Sequence, residues 1–166
     1  MGLSLEIERK FLVLNSTFKK QATNAIHIRQ GYLNTDPKRV VRVRLSKDMD
    51  SGHTTAFLTI KGLSTNDGLR RLEWEQAIDY KEAEALLGLC VNYPIEKVRH
   101  LVPYQGHTFE VDVFEGQNKG LVLAEIELSE VEAEFARPDW LGVEVTQLSG
   151  YTNAALAERP FLTWPK

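Results

Sequence analysis

Charged residues stand two positions apart, between apolar neighbours, in most segments of this 166-residue chain. Side chains alternate faces along a β-strand, so each such segment places its charges on one face and its Leu, Ile, Val, Trp or Phe on the other. Lys10 extends the first pair, and Lys61 adds a single charge that ends an apolar segment. The six pairs are Glu6/Glu8, Arg42/Arg44, Glu73/Glu75, Lys97/Arg99, Glu110/Asp112 and Glu125/Glu127.

A single pair of this kind is typical of an exposed sheet face with cross-strand ion pairs. The whole set instead predicts a sheet curled around a charged interior. Dry burial of an ion costs several kcal/mol, roughly, even when the ion is paired. The predicted interior must therefore hold water, ions or a charged ligand.

Length and composition narrow the class of protein. The chain length suits a single domain, residues 1–166, because no change of composition marks a linker. A formal net charge of −3 argues against a uniformly basic surface, so a nucleic-acid partner is not expected. The lone Cys90 excludes an intramolecular disulfide, and no segment approaches the roughly 20 apolar residues of a membrane span. A cytoplasmic location without membrane attachment is expected.

The element pattern predicts an α+β protein that is mainly antiparallel sheet. Asp79 is expected to cap a helix over "YKEAEALLGL", and "SGYTNAALAER" predicts a last short helix. Ser129 and Glu132 form a capping box that predicts a helix over "EVEAEFARP", terminated by Pro138. Eight segments predict strands: Leu5–Val13, "IHIRQGYL", "VVRVRLS", "TTAFLTIKG", "GLRRLEWEQAID", "EKVRHLV", "HTFEVDVFEG" and "LVLAEIELS".

The charges of the predicted interior suit a phosphorylated ligand and a divalent cation. The planar fork of Arg favours bidentate contact with phosphate oxygens. Glutamates without a His or Cys partner favour Mg²⁺ or Mn²⁺ over Zn²⁺. Metal ions that bridge an acidic and a basic wall support in-line attack on a phosphoryl group. The basic candidates are Lys10, Arg42, Arg44, Lys61, Lys97 and Arg99, and the acidic ones are Glu6, Glu8, Glu125 and Glu127.

The segment "LEIERKFLV" resembles the ExExK signature of the CYTH superfamily, also called the triphosphate tunnel metalloenzymes. Further matches follow in family order, so that the resemblance covers nearly the whole chain and is greatest to short, single-domain bacterial members. These matches are "VRVRL", "TIKG", "LEWE", "EKVR", "FEVDVF", "LAEIEL" and the late "GVEVT…Y…N..LA". The resemblance implies an eight-stranded, closed antiparallel β-barrel whose tunnel is charged, with a few flanking helices.

The resemblance also implies roles for individual residues. Lys10 is a candidate for positioning the attacking water, with its role as a base left open, and Arg44 for clamping the phosphoryl group in transfer. The divalent cation is assigned to Glu6, Glu8, Glu125 and Glu127, and the triphosphate to Lys10, Arg42, Arg44, Lys61, Lys97 and Arg99. A second metal, the orientation of water or ion pairing with neighbouring cations is implied for Glu73, Glu75, Glu110 and Asp112.

The resemblance leaves several activities open. Hydrolysis of inorganic triphosphate is favoured over hydrolysis of a nucleoside or thiamine triphosphate, because no aromatic or hydrogen-bonding set for a base is identified among the inward positions. Cyclisation of ATP, as in class IV adenylate cyclases, is disfavoured because those enzymes carry a His-Phe element upstream of ExExK, where this chain has "MGLSL". A non-catalytic polyphosphate-binding module is the alternative outside enzymes. Tyr32 is expected in the core or at the substrate. Arg71 lies two residues before Glu73, so the two side chains share one face of a strand (the same parity), and Arg71 is a further candidate for the basic wall.

Overall fold

A computed structural model describes residues 2–166, in which nine antiparallel strands form one sheet that closes on itself. The strand order is β5-β4-β3-β2-β6-β7-β8-β1-β9, and pairing of β5 with β1 closes the first eight strands into a barrel. β9 adds to one edge of β1. The predicted closed antiparallel barrel is confirmed. The strands are β1 Gly2–Val13, β2 Asn24–Tyr32, β3 Arg39–Asp48, β4 Thr54–Gly62, β5 Arg70–Ala77, β6 Val91–Tyr104, β7 His107–Phe114, β8 Val122–Glu127 and β9 Leu141–Glu144.

Three short α-helices flank the barrel: α1 Phe18–Gln21, α2 Tyr80–Leu87 and α3 Asn153–Glu158. The Asp79 side chain accepts a hydrogen bond from the Glu82 N–H and caps α2 as predicted. Thr152 caps α3 in the same way through the Ala155 N–H. None of the helices in the described part of the chain is long and apolar enough to cross a membrane.

Strand register aligns the charged faces of neighbouring strands. Glu8 is opposite Glu127, and Lys10 is opposite Glu125, in the β1–β8 pair. In the same way, Lys61 of β4 is opposite Glu73 of β5. Because register fixes which residues share a face, the charge pairs of separate strands meet on the inner side of the barrel.

Two of the apolar clusters lie outside the barrel, between the outer strand faces and the segments that cover them, and another lies inside one end of the barrel. One cluster packs Phe11, Phe109 and Ile126 beneath Trp140. A cluster outside the barrel places Val43 of β3 under α2. The cluster inside the barrel packs Leu156 of α3 against the inward-facing side chains of Ile95 and Phe114. Apolar residues therefore cover outer faces of the barrel and fill one end of its interior, and the charged residues line the rest of the interior.

The helix predicted from the Ser129 and Glu132 capping box is wrong. Residues 129–139 form turns and extended chain instead. Val131, Ala133 and Phe135 alternate with exposed glutamates and pack against the first cluster, so the segment follows a two-residue period. Extended chain buries all three of these side chains, which lie on more than one side of a helix.

Candidate active site

The barrel encloses a charged cavity of about 260 Å³. Twelve of the fourteen site residues predicted from the sequence line it, with Tyr32, Val40, Arg71, Thr152, Asn153 and Ala154 completing the wall. Lys97 and Asp112 are buried beside the cavity without lining it. The twelve are Glu6, Glu8, Lys10, Arg42, Arg44, Lys61, Glu73, Glu75, Arg99, Glu110, Glu125 and Glu127.

Carboxylates of β1 and β8 crowd one side of the cavity. Burial raises the pKa of Glu8 well above its ordinary value, and repulsion from Glu125 and Glu6 raises it further. Burial also raises the pKa of Glu125, but Lys10 and a hydrogen bond with Glu8 outweigh it and hold that pKa well below its usual range. The opposite pKa shifts of Glu8 and Glu125 thus follow from two carboxylates crowded together beside one lysine. Burial and repulsion from Glu6 raise the pKa of Glu127.

Two lysines are inserted among these carboxylates. Lys61 Nζ lies 3.0 Å from Glu6 Oε1 and 3.3 Å from Glu73 Oε2. Lys10 Nζ donates a hydrogen bond to the Tyr151 carbonyl at 3.1 Å and lies 3.6 Å from Glu125 Oε1. Burial lowers the pKa of Lys10, but attraction to Glu125 and other carboxylates outweighs burial, so the net pKa is raised. Lys10 therefore stays protonated at neutral pH.

Arg42 has an unsatisfied donor. Its Nη2 donates to Thr59 Oγ1 at 3.2 Å, and Thr59 Oγ1 in turn donates to Glu75 Oε2 at 2.9 Å. The Arg42 Nε is buried and has no hydrogen-bond partner among residues 2–166. A buried N–H without an acceptor is costly, and it favours binding of an anionic ligand that supplies one.

Arg44 is held from the side by β2. Its Nε donates to Gln30 Oε1 at 2.7 Å, and Gln30 Nε2 donates to the Tyr32 hydroxyl at 3.3 Å. Burial lowers the pKa of Arg44 to about 9, with repulsion from Arg42 and Arg99 adding to the effect. The guanidinium is still charged at neutral pH, and an anion in the cavity would relieve the repulsion.

Lys97 and Arg99 share Asp112. Arg99 binds the two oxygens of Asp112 through Nε and Nη2, at 2.8 and 3.0 Å. Lys97 Nζ lies 2.7 Å from Asp112 Oδ2 and donates to Asn153 Oδ1 at 2.8 Å. Burial is the main reason that the pKa of Lys97 is lowered to about 7. The structure thus places Lys97 behind the wall and Arg99 in it.

Four polar residues of the site were not assigned a role from the sequence. Thr152 and Asn153 line the cavity, and Gln30 and Thr59 accept hydrogen bonds from its arginines. Strand parity could have found Gln30 and Thr59, since Gln30 shares a face with Tyr32 and Thr59 shares one with Lys61. Thr152 and Asn153 come from the C-terminal segment, where no charge pattern marks them. Asn153 lies in the last segment of the family resemblance, which was given no role at the site. Arg71 lines the cavity, as its parity with Glu73 indicated.

A separate group of possible metal ligands lies on another face of the molecule. Ligand atoms of His27, Glu96 and Glu115 lie within 4.8 Å of one another. His27 Nε2 is already within hydrogen-bond distance, 2.7 Å, of Glu96 Oε2, so a hydrogen bond accounts for this contact without a metal. The charged cavity contains none of these three residues.

The comparisons with known proteins agree with this architecture. The family model described as the CYTH domain matches residues 4–160. The chain belongs to the CYTH family. Among curated CYTH-like relatives, the inorganic triphosphatase of Acetivibrio thermocellus is 43% identical, over 94% of this chain and 95% of that protein. The inorganic triphosphatase of Nitrosomonas europaea is 41% identical, over 92% of this chain and 96% of that protein.

A solved structure extends the likeness to the CYTH fold. The crystal structure of the inorganic triphosphatase NE1496 superimposes with a TM-score of 0.64 at 34% identity. The match covers 97% of this chain and all of that chain (100%). The family membership implied by the ExExK segment and the further matches that follow it is therefore confirmed. The similarity covers nearly the whole chain.

Proposed function

We propose that this protein hydrolyses inorganic triphosphate to pyrophosphate and phosphate with the help of Mg²⁺ or Mn²⁺. The observation that carries the proposal is the lining of the cavity. Among residues 2–166, six cationic side chains and seven carboxylates line it, and Tyr32 is the only aromatic residue there. A short polyanion with bound cations matches such a lining, because each wall then meets opposite charge. The two curated relatives that are named inorganic triphosphatases support the same substrate.

The residues present fit a divalent cation. Glu6, Glu8, Glu125 and Glu127 would hold it, and all four offer oxygen ligands of the kind that Mg²⁺ and Mn²⁺ prefer. The crowding of Glu8 and Glu125 supports this assignment, since their mutual repulsion contributes to the raised pKa of Glu8, and a cation between the two carboxylates would relieve that repulsion. When bound, the cation would neutralise phosphate oxygens and polarise the phosphoryl group.

The basic residues of the lining would grip the triphosphate. The unpartnered Nε of Arg42 would donate to a phosphate oxygen. Arg44, whose Nε is engaged by Gln30, would present its two terminal amino groups as a fork. The remaining lining cations, Lys61, Arg71 and Arg99, would complete the charge balance along the chain of phosphates.

The reaction is attack by water on a terminal phosphorus. A bond forms between the water oxygen and that phosphorus, the bond to the bridging oxygen breaks, and pyrophosphate leaves with the electron pair. The raised pKa of Lys10 argues against a role as the base, because its ammonium has no free pair at neutral pH. Lys10 would instead donate a hydrogen bond that positions the water or the attacked phosphoryl oxygen. Negative charge on the departing pyrophosphate would be stabilised by the arginines.

Competition between substrates tests this proposal. Phosphate release is measured from tripolyphosphate, ATP, thiamine triphosphate and pyrophosphate, each with Mg²⁺, Mn²⁺ or Ca²⁺, and cyclic AMP is measured in the ATP reactions. We expect the highest kcat/KM for tripolyphosphate and no cyclic AMP. A kcat/KM for ATP or thiamine triphosphate above that for tripolyphosphate contradicts the substrate assignment. Tight binding of tripolyphosphate without turnover would instead identify a polyphosphate-binding module.

A further inference from the structure

A second cavity opens from the charged cavity beside Lys10. Its volume is about 180 Å³, and four residues line both cavities: Glu8, Lys10, Arg71 and Thr152. The other lining residues belong to the β4–β5 loop (64–68) and to the segment after β9 (145–149). Gln147 is exposed and Lys10 is buried, so this cavity runs from the surface to the interior of the barrel. It is called the side cavity below.

The side cavity exists because β1 changes its partner along one edge. β1 pairs with β5 as far as Ile7 and with β9 from Phe11 onward. Between these two pairings, the Lys10 N–H donates to Thr146 Oγ1 at 3.0 Å, a side chain in place of a strand. The two loops that form the walls meet at Gly68, where a Cβ would lie 2.6 Å from the Thr146 carbonyl oxygen. The gap between β5 and β9 therefore becomes a passage through the wall of the barrel.

The lining of the side cavity is rich in hydrogen-bond donors. Its described cations are Lys10 and Arg71, and Glu8 is the only carboxylate among its described residues. Arg71 Nε donates to the Gly62 carbonyl at 2.8 Å, which leaves its two terminal amino groups for a ligand. Two cations and several neutral donors around a small volume suit a single oxyanion such as inorganic phosphate. The neutral donors whose side chains have no hydrogen-bond partner among residues 2–166 are Ser64, Asn66, Gln147 and Ser149.

The position of Lys10 relates the side cavity to the reaction. In the proposed hydrolysis, Lys10 positions the water or the attacked phosphoryl oxygen, so the phosphate forms beside Lys10. The other arginines of the charged cavity lie on β3 and β6, each three strands away from β1 around the barrel. None of these arginines, Arg42, Arg44 and Arg99, lines the side cavity. Phosphate thus forms at the mouth of the side cavity, and pyrophosphate forms on the side of the arginines.

We propose that the side cavity is a binding site for the inorganic phosphate product, which leaves by this route while pyrophosphate stays on the arginines of the charged cavity. The inference rests on the proposed function for the source of the phosphate. Two separate product sites allow both products to be bound at once. The described part of the chain gives the side cavity two cations and the charged cavity six, so phosphate should bind more weakly than pyrophosphate and leave first.

Simultaneous binding of the two products tests the proposal. Inorganic phosphate is titrated into the wild-type protein with Mg²⁺, with and without saturating pyrophosphate, and its binding is followed by the ³¹P NMR linewidth. We expect one phosphate per chain, with a Kd that pyrophosphate changes by less than about threefold. A phosphate Kd that pyrophosphate raises by about tenfold or more would mean that the two products share one site, which overturns the proposal. Absence of phosphate binding at millimolar concentrations also overturns it.

Substitution of two neutral donors tests the location of the site. A variant that combines Asn66→Leu with Gln147→Leu keeps the cations but removes two amide donors, so the phosphate Kd should rise by about fivefold or more. Its pyrophosphate Kd and its melting curve should match those of the wild type. Gln117→Leu is the matched control, because Gln117 is exposed in the turn before β8, and it should change neither Kd. An unchanged phosphate Kd in the double variant, or an equal rise in both Kd values, overturns the assignment.

The two product titrations need no turnover, so they separate this inference from the proposed function. A protein that hydrolyses tripolyphosphate but cannot bind phosphate and pyrophosphate together overturns the phosphate site alone. A protein that binds both anions but releases no phosphate from tripolyphosphate overturns the proposed function and, with it, the product role of the side cavity.

Discussion

The amide oxygen of Gln30 accepts a hydrogen bond from Arg44 Nε at 2.7 Å inside the barrel. Gln30 is fully buried, and the Tyr32 hydroxyl accepts a bond from its amide nitrogen. With its Nε engaged, the guanidinium of Arg44 keeps one plane and leaves its terminal amino groups free for a ligand. A neutral side chain thus orients one of the main cations of the cavity.

Gln30→Met tests this orientation. Methionine is similar in size but is a poor acceptor, so the Arg44 guanidinium loses its fixed plane. We expect kcat/KM for tripolyphosphate to fall by about tenfold, which corresponds to about 1.4 kcal/mol. Gln76→Met is the control, because Gln76 is exposed on the outer face of β5, and it should not change kcat/KM. Unchanged kinetics in Gln30→Met would show that Arg44 needs no support from β2.

Arg44→Lys separates charge from geometry. Lysine keeps the positive charge but has no planar fork, so an Arg44 that clamps the transferring phosphoryl group cannot be replaced by it. We expect kcat to fall by roughly ten- to a hundredfold. Arg39→Lys, at the exposed start of β3, should leave kcat unchanged. A rise in KM alone would mean that Arg44 contributes uniform binding.

Glu127→Gln tests the proposed metal ligands. A neutral amide is a poorer ligand for Mg²⁺ or Mn²⁺, so turnover should be lost, while tripolyphosphate should still bind to the basic residues. Steady-state rates and calorimetric titration of tripolyphosphate measure the two effects. Glu130→Gln, an exposed glutamate beyond the end of β8, should retain full activity. Full turnover in Glu127→Gln is incompatible with its assignment as a metal ligand.

Asp48 gives a pH-dependent contribution to stability in the β3–β4 turn. Its carboxylate accepts bonds from the Ser51 and Asp50 N–H groups and from Asn24 Nδ2, which lower its pKa from 3.8 to about 2. A carboxyl group with a lowered folded-state pKa stabilises the fold above its unfolded pKa, and the effect disappears as pH falls through the folded pKa. Asp48→Ala should therefore lower the Tm at neutral pH and should match the wild type near pH 2, as thermal melts would measure.

The control for Asp48→Ala is Asp50→Ala. This substitution removes a carboxylate from the same turn without removing those three hydrogen bonds. Its free energy of unfolding should stay within about 0.5 kcal/mol of the wild type. If the Tm difference for Asp48→Ala is constant from neutral pH to pH 2, the hydrogen-bonded carboxylate is not its origin.

The sequence predicted the barrel because charge alternation is a local property of strands. Pairs such as Arg42/Arg44 show the two-residue period of a strand directly, and this period predicted the eight strands of the barrel. The capping box at Ser129 led to a wrong helix prediction. Its local preference for a helix is outweighed by the packing of Phe135 against the barrel. Strand β9 escaped prediction because it has only four residues, Leu141–Glu144, which contain a single charge and so show no charge pair.

The candidate site was predictable to the extent that strand parity defines the inner face. Parity placed Glu8 and Arg44 correctly at the cavity but could not tell that Lys97 is withdrawn behind it. That position depends on the Asn153 side chain, which reaches Lys97 from the C-terminal segment. Long-range partners of this kind carry no period in the sequence, so only the folded structure reveals them.

A ³¹P NMR time course of tripolyphosphate with the protein and Mg²⁺ or Mn²⁺ tests the account most directly. We predict that pyrophosphate and phosphate appear together in equal amounts and that pyrophosphate then persists. Removal of the metal by a chelator should stop the reaction. Pyrophosphate that is consumed as fast as it forms, turnover that continues after chelation, or no turnover with either metal would contradict the account.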